Sequence, residues 1–223
     1  MPARPSITSC GLDTKTALIR AATRLIAERG FEAVSTREIT KEAGVNVASV
    51  NYHFGSREEL LDAVMVCHCR PINKKRLNRL GVLTAQAEAG QTVSLKDWLR
   101  AMFEPMVEEM MSGEFEQKLF ARMLGRLMGE KGYSVPEEAL VEFRQVASLL
   151  IPGIQRVLPD LDGPGVMWKI HFCFGAVSHT FLHGDLLGQI CPETPKNRGP
   201  EELLEELIDF CAAGMKGSAD VAN

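Results

Sequence analysis

Residues 45–60, VNVASVNYHFGSREEL, bring several hydrogen-bonding side chains together within a few positions. Asn51, Tyr52 and His53 follow small residues that would allow a close approach to another molecule. Asparagine can hydrogen bond to adenine in a DNA groove, and tyrosine, histidine and serine can hydrogen bond to phosphate oxygens. This combination indicates recognition of DNA. A helix end with a mixed polar surface is the alternative interpretation.

The chain carries none of the commonest catalytic signatures. It has no nucleophile elbow, no phosphate-binding glycine loop and no HExxH sequence, so we expect no enzyme activity and no cofactor. Its six cysteines are scattered without a CxxC pair, at positions 10, 67, 69, 173, 191 and 211. We interpret them as reduced thiols.

Histidines near the C-terminus leave a metal site open as a second hypothesis. His179 and His183 are four residues apart on a predicted helix and share one face of it. A third ligand would have to come from Cys173 or from Asp185 of a partner chain. His171 lies on the same predicted helix. We favour structural or dimer-interface histidines and expect no bound metal.

Capping signals place the polar stretch within a series of short helices. Apolar spacing predicts a helix over 14–29, which Gly30 ends. Ser35 and Glu38 form the S-x-x-E pattern of a capping box and open a helix over 36–43.

A turn at Gly44 and a second short helix over 46–53, with Asn46 as its cap, complete a predicted helix-turn-helix. In this motif the second helix enters the major groove of DNA. Ser56 and Glu59 form another capping box, which begins a long helix. The apolar positions that would hold the two short helices in place are Ile39, Ala43, Val45, Val50 and Phe54.

Charge is distributed unevenly along the chain. Residues 1–79 carry 13 basic and 8 acidic side chains, a net charge of +5, and the remaining residues carry −9. Ser35 and Thr36 lie at a helix N-terminus, where free amides favour a phosphate. Arg37 and Arg57 lie in the first turns of the flanking helices. The N-terminal third is therefore predicted to meet a polyanion.

Residues 14–60 resemble the DNA-binding region of TetR-type (tetracycline-repressor-like) transcriptional regulators. The resemblance rests on the segments AATRLIAERGF, STREI, AGV and YHFGSREEL. Asn51 departs from it, because many members place an aromatic residue there. The resemblance implies DNA contact by Thr36, Arg37, Asn46, Val47, Ala48, Asn51, Tyr52, His53 and Arg57.

The resemblance also implies an all-α, two-domain repressor that binds a near-palindromic double-stranded DNA operator as a homodimer. The last two helices would dimerise as a four-helix bundle, and a small effector of unknown identity would release the DNA. The expected regions are a flexible tail (1–12), the helix-turn-helix domain (13–56), a connecting helix kinked near Pro71 (57–80) and a ligand-binding and dimerisation domain (81–223). Further helices are predicted near 94–111, 115–130, 136–157, 165–184 and 200–215.

A methionine-rich stripe indicates either core packing or an apolar effector pocket. Trp98, Met102, Met106 and Met110 recur every four residues, and methionine adapts to varied apolar shapes. Core packing is the commoner role of such a stripe. The candidate pocket residues are Trp98, Met102, Met106, Met110, Phe120, Met123, Leu127 and Phe174.

Other patterns bear on location and partners. No run of about 18 apolar residues indicates a membrane span, and no secretory signal is apparent, so we expect a cytoplasmic protein. The basic segment 70–79 would contact flanking DNA or, as we favour, simply be solvated. The alternatives to an effector-released repressor are a metal- or redox-responsive regulator that uses the C-terminal His and Cys residues, and a protein-interaction scaffold.

Overall fold

α-Helices are the regular secondary structure of the part of the chain that the computed structural model describes, residues 7–30, 32–111, 135–183, 185–193 and 199–217. They are α1 (Ile7–Arg29), α2 (Thr36–Glu42), α3 (Ala48–Phe54), α4 (Arg57–Glu88), α5 (Leu95–Met111), α6 (Glu137–Val157), α7 (Gly163–His183), α8 (Asp185–Ile190) and α9 (Pro200–Lys216). The predicted all-α class is confirmed. The helix predicted over 115–130 lies outside the described residues. Within the described ranges, every helix is too short or too polar to cross a bilayer.

The described residues form two compact units. The first contains residues 7–70 and 135–139, and the second contains residues 71–111 and 140–217. The division falls inside α4, between Arg70 and Pro71. α4 continues through Pro71, although the proline ring removes one backbone hydrogen bond from the helix.

The first unit is built around apolar side chains from four helices. Leu18 and Ile26 of α1, Ile39 of α2, Val50 of α3 and Leu60 of α4 are each at most 1% exposed. α1 packs against both α2 and α3. Three helices therefore hold each other at fixed positions, which a two-helix motif could not achieve alone.

α1 begins earlier than the apolar pattern predicted. The predicted helix started at residue 14, whereas α1 starts at Ile7. The segment ITSCGLD has no apolar periodicity, so a pattern search passes over it. Extending a helix that has already formed adds one hydrogen bond for each residue fixed, which allows a non-amphipathic segment to join it.

In the second unit, α5, α7 and α9 pack together. Arg100 of α5 pairs with Glu205 of α9, and Lys96 pairs with Asp209 one turn away. The predicted apolar face of α9 is buried at Leu204, Ile208 and Cys211, while Leu203 and Leu207 are half-buried.

The basic segment 70–79 is engaged by acidic side chains of its own chain. Lys75 Nζ lies 3.2 Å from a Glu108 carboxylate oxygen, Arg79 pairs with Glu104 and Glu108, and Arg70 pairs with Glu138. Arg76 is buried and donates from Nε to the Met102 carbonyl oxygen at 2.8 Å. The predicted solvation is therefore incomplete: acidic residues of α5 lie opposite Lys75 and Arg79, which keep 44% and 34% of their side-chain exposure.

Candidate nucleic-acid interface

A capping box fixes the start of α2. The Ser35 hydroxyl accepts a hydrogen bond from the Glu38 amide at 3.3 Å, and the Ser35 amide donates to a Glu38 carboxylate oxygen at 2.8 Å. The Ser35 hydroxyl also donates to the same carboxylate at 2.7 Å, and these two hydrogen bonds to the carboxylate, together with one from Arg29, lower the pKa of Glu38 to about 2. The predicted box is confirmed, and Glu38 is an anion in the folded protein at neutral pH.

The turn between α2 and α3 depends on one glycine and one asparagine. Gly44 has a φ of +68°, a conformation that strains residues with a Cβ. Asn46 Oδ1 accepts a hydrogen bond from the Ala48 amide at 2.9 Å, although Val47, and not the predicted Asn46, occupies the N-cap position of α3. α3 runs from Ala48 to Phe54, so it begins two residues later and ends one residue later than the helix predicted over 46–53. Gly55 ends α3 with a φ of +86°.

α3 has one buried side and one exposed side. Val50 is fully buried, whereas Tyr52 is 85% exposed and Val47 is 44% exposed. Ala48 and Asn51 are also exposed. Hydrogen-bonding and small side chains therefore project together from a helix whose opposite side is fixed in the core.

Aromatic contacts order the C-terminal end of α3. The rings of Tyr52 and His53 meet edge to face with centroids 4.9 Å apart, and His53 is half-buried. Lys15 Nζ, from α1, lies 5.4 Å from the centroid of the Phe54 ring. Lys15 was not predicted as a site residue. Its position beside α3 follows from the packing of α1, which no local sequence signal reveals.

The predicted arginines occupy different environments. Arg37 is exposed on α2 and, in the part of the chain that the structure describes, has no ion pair. Arg57 is only 21% exposed, lies 3.6 Å from Glu58 and donates from Nε to the Val34 carbonyl oxygen at 2.9 Å. Arg57 thus joins the start of α4 to the segment before α2. Thr36 is half-buried at the start of α2.

The candidate effector residues divide between core and half-buried positions. Trp98 and Met106 are 1% and 3% exposed, and Met102 and Phe174 are half-buried. Phe120, Met123, Leu127 and the side chain of Met110 lie outside the described residues.

The described His and Cys residues form no cluster suited to a metal. No group of three or more His, Cys, Asp and Glu side chains converges within the described ranges. His171 and His179 are exposed, and the side chain of His183 lies outside those ranges. Cys173 and Cys211 lie side by side, and this contact and burial raise the pKa of the Cys173 thiol. A protonated thiol is a poor nucleophile and metal ligand.

Two protein-family models match the chain. The model described as "Bacterial regulatory proteins, tetR family" matches residues 18–64. The model described as "Tetracyclin repressor-like, C-terminal domain" matches residues 100–214, just over half of the chain. The first match covers α2, α3 and the turn between them, and the second covers most of the second unit.

Individual relatives agree with the family models. The helix-turn-helix (HTH)-type transcriptional dual regulator CecR of Shigella flexneri is 45% identical over 56 residues, and the HTH-type regulator BetI of Rhizobium meliloti is 45% identical over 49 residues. Each match spans about a quarter of both chains. A solved TetR-family regulator of Marinobacter aquaeolei has the same fold, with a TM-score of 0.63 and 16% identity over 92% of this chain and 97% of its own.

Proposed function

Because the chain belongs to the TetR family of bacterial regulatory proteins, we propose that it is a transcriptional repressor that binds a near-palindromic operator as a homodimer. A small, mainly apolar effector releases it from the operator. It acts in the cytoplasm, where its DNA target lies.

The exposed face of α3 is the observation that carries this proposal. A tyrosine that is 85% exposed, beside an exposed asparagine, contributes nothing to the core. The buried Val50 and Ile39 hold the helix beneath them. A rigid helix that presents small and hydrogen-bonding side chains suits the major groove, which admits an α-helix and displays a distinct pattern at each base pair.

We divide the contact residues by role. Val47, Ala48 and Asn51 approach base edges, with Asn51 suited to adenine. Phosphate contacts come from the exposed or half-exposed groups around them, Thr36, Arg37, Tyr52, His53 and Lys15. Asn46 and Arg57 position the reading helix, because their polar atoms bond to the backbone of the first unit.

An exposed apolar face on α7 and α9 supports the homodimer. Trp168, Phe172 and Phe210 are 62%, 64% and 68% exposed. Met167 and Trp168 also line a groove of about 400 Å³ on α7. Large apolar side chains that remain exposed together mark interaction surfaces. A second copy would cover this face, as expected if the helices predicted over 165–184 and 200–215, which are α7 and α9, form the four-helix bundle.

The effector site lies in the second unit, where Met102 and Met106 lie on successive turns of α5. Methionine side chains adapt to apolar ligands of different shapes. Pro105, inside α5, leaves the Ala101 carbonyl without its usual amide donor. In this proposal the first unit binds DNA and the second unit binds the effector.

Selection from random-sequence DNA tests the proposal. The full chain should enrich a site with two related half-sites about one helical turn apart. Tyr52→Ala should weaken binding to that site about tenfold, because a hydrogen bond to a charged group such as a phosphate contributes about 1.5 kcal/mol. Val82→Ala, a change at another exposed apolar residue, should leave affinity unchanged.

Enrichment of no sequence would contradict the proposal. So would equal affinities of the Tyr52 and Val82 variants, because α3 would then not be the reading helix.

A further inference from the structure

Buried polar side chains of α5 and α7 in the second unit include atoms that lack hydrogen-bond partners among the described residues. They are Nε1 of Trp98, on α5, and Oγ of Ser178, on α7. Trp98 is 1% exposed and Ser178 is 7% exposed. Leaving a buried donor unpaired is unfavourable, so Trp98 Nε1 and Ser178 Oγ each need an acceptor that the described residues do not supply.

The position of Trp98 along α5 follows from two ion pairs with α9. Lys96 pairs with Asp209, and Arg100 pairs with Glu205. α5 and α9 therefore run antiparallel, and Trp98 lies level with residue 207 of α9.

The position of Ser178 follows from the contacts between α7 and α9. Lys169 Nζ donates to the Gly214 carbonyl oxygen at 3.1 Å, and Cys173 lies beside Cys211 one turn later. α7 therefore also runs antiparallel to α9, and Ser178 lies level with residue 206. Since α5 packs against α7, Trp98 and Ser178 lie at about the same height along the helix layer.

The indole ring of Trp98 is held in a fixed orientation. A Cβ placed on Gly153 would lie 2.6 Å from Cζ3 and Cη2 of the ring, so only a glycine allows this contact. These atoms belong to the edge of the indole remote from Nε1. The ring edge therefore packs on α6 while its N–H points elsewhere, which pre-orients the donor.

We propose that Trp98 Nε1 and Ser178 Oγ together bind the oxygen of an uncharged, mainly apolar effector that carries a carbonyl or hydroxyl group. Both groups are neutral donors, and a neutral oxygen acceptor satisfies them without burying a charge. The apolar part of the effector lies along Met102 and Met106 of α5. This inference rests on the proposed effector site in the second unit.

The test follows the indole N–H signals by two-dimensional nitrogen–proton NMR of the ¹⁵N-labelled chain. The chain has two tryptophans, so two indole signals are expected, and Trp168→Phe assigns them. Unaltered protein is then titrated with acetophenone, with its hydrocarbon counterpart ethylbenzene and with the anion phenylacetate. These probes are small enough to enter any site that holds a larger effector.

Acetophenone should move the Trp98 indole proton downfield, as a new hydrogen bond does, and ethylbenzene should not. Ser178→Ala should weaken acetophenone binding about fivefold, the equivalent of one hydrogen bond. Ser148→Ala should not, because the Ser148 hydroxyl is exposed and already donates to the Gln145 carbonyl oxygen.

Three outcomes would overturn the inference. The first is an equal shift of the Trp98 indole proton with ethylbenzene. The second is no shift of this proton at saturating acetophenone, as when a bound water keeps the site. The third is tighter binding of phenylacetate than of acetophenone. Operator affinity is measured separately by fluorescence anisotropy. If acetophenone binds at Trp98 but operator affinity does not change, the proposed release of DNA by an effector is contradicted. The inferred binding site for an oxygen atom is then still supported.

Discussion

Asn51 and Tyr52 project from the surface of α3, and Val50 beside them is fully buried. This separation lets the two polar side chains change without disturbing the core. Replacing either should therefore alter DNA binding and leave thermal unfolding of the protein unaffected. Arg57 is the opposite case, because its Nε bonds to the Val34 carbonyl oxygen and any variant there also disturbs the fold of the first unit.

Arg37 and Arg79 provide a matched pair for testing phosphate contact. Arg37 is exposed and has no ion pair within the described residues, whereas Arg79 pairs with Glu104 and Glu108. Arg37→Ala should reduce the slope of log affinity against log salt by about one, because one phosphate is no longer neutralised. Arg79→Ala removes the same charge and should leave the slope unchanged. Operator titrations at a series of salt concentrations give the slopes for both variants. Equal slopes for Arg37→Ala and Arg79→Ala would show that Arg37 does not contact a phosphate.

Glu38 should make the stability of the first unit depend on pH. Its pKa in the folded protein is about 2, below its ordinary value of 4.5, so folding favours the ionised form. This stabilisation is present above the ordinary value and is lost as the pH falls through about 2. Glu38→Gln should lower the free energy of unfolding most at neutral pH, and its difference from the parent should narrow in acid. Urea unfolding of both proteins over this range measures the difference, and a constant gap would contradict the capping role.

At the scale of helices and turns, the reading helix depends on the reversal at Gly44. A Cβ there would meet no atom within 4 Å, but the φ of +68° strains any other residue. Gly44→Ala should therefore destabilise the protein by about 1 kcal/mol. Gly81→Ala is the control, because Gly81 lies inside α4 with equal space and a helical φ. That change should stabilise by about 0.5 kcal/mol. Urea unfolding should give opposite signs, and two changes of the same sign would contradict this account of the turn.

The helices around the site were largely predictable from the sequence because their signals are local. Ser35 and Glu38 are three residues apart and cap α2, and Gly44 ends it, so both ends of α2 can be found in one short segment. The contact of Lys15 with Phe54 and the bond from Arg57 to Val34 join residues far apart in sequence. Only tertiary packing brings these pairs together, so no local pattern predicts them.

The same limit explains why the ion pairs of the basic segment 70–79 were not predicted. Its charges predict either solvation or DNA, because sequence alone does not show which helix lies opposite. In the structure, acidic residues of α5 pair with Lys75 and Arg79. Exposed pairs of this kind contribute little stability individually. These pairs occupy basic side chains that the sequence suggested as candidate DNA contacts.

At the scale of the whole molecule, dimerisation decides whether two reading helices act together. Phe172→Glu places a charge on the exposed apolar face of α7 and should weaken self-association at least tenfold, because the charge would be buried against a second copy. Val82→Glu alters a residue of similar exposure, 58% against 64%, on α4 and should leave self-association unchanged. Sedimentation velocity over a range of concentrations distinguishes the two. A Phe172 variant that associates like the parent would place the interface elsewhere.

Recognition of a base pair by Asn51 tests the central claim most directly. The selected operator is changed one base pair at a time, and the affinities of the parent and of Asn51→Ala are measured for every site. We expect the variant to lose its preference at one base pair in each half-site, at symmetric positions, and to keep it elsewhere. Unchanged preferences at all positions in this variant would contradict the claim that the exposed side of α3 reads the major groove.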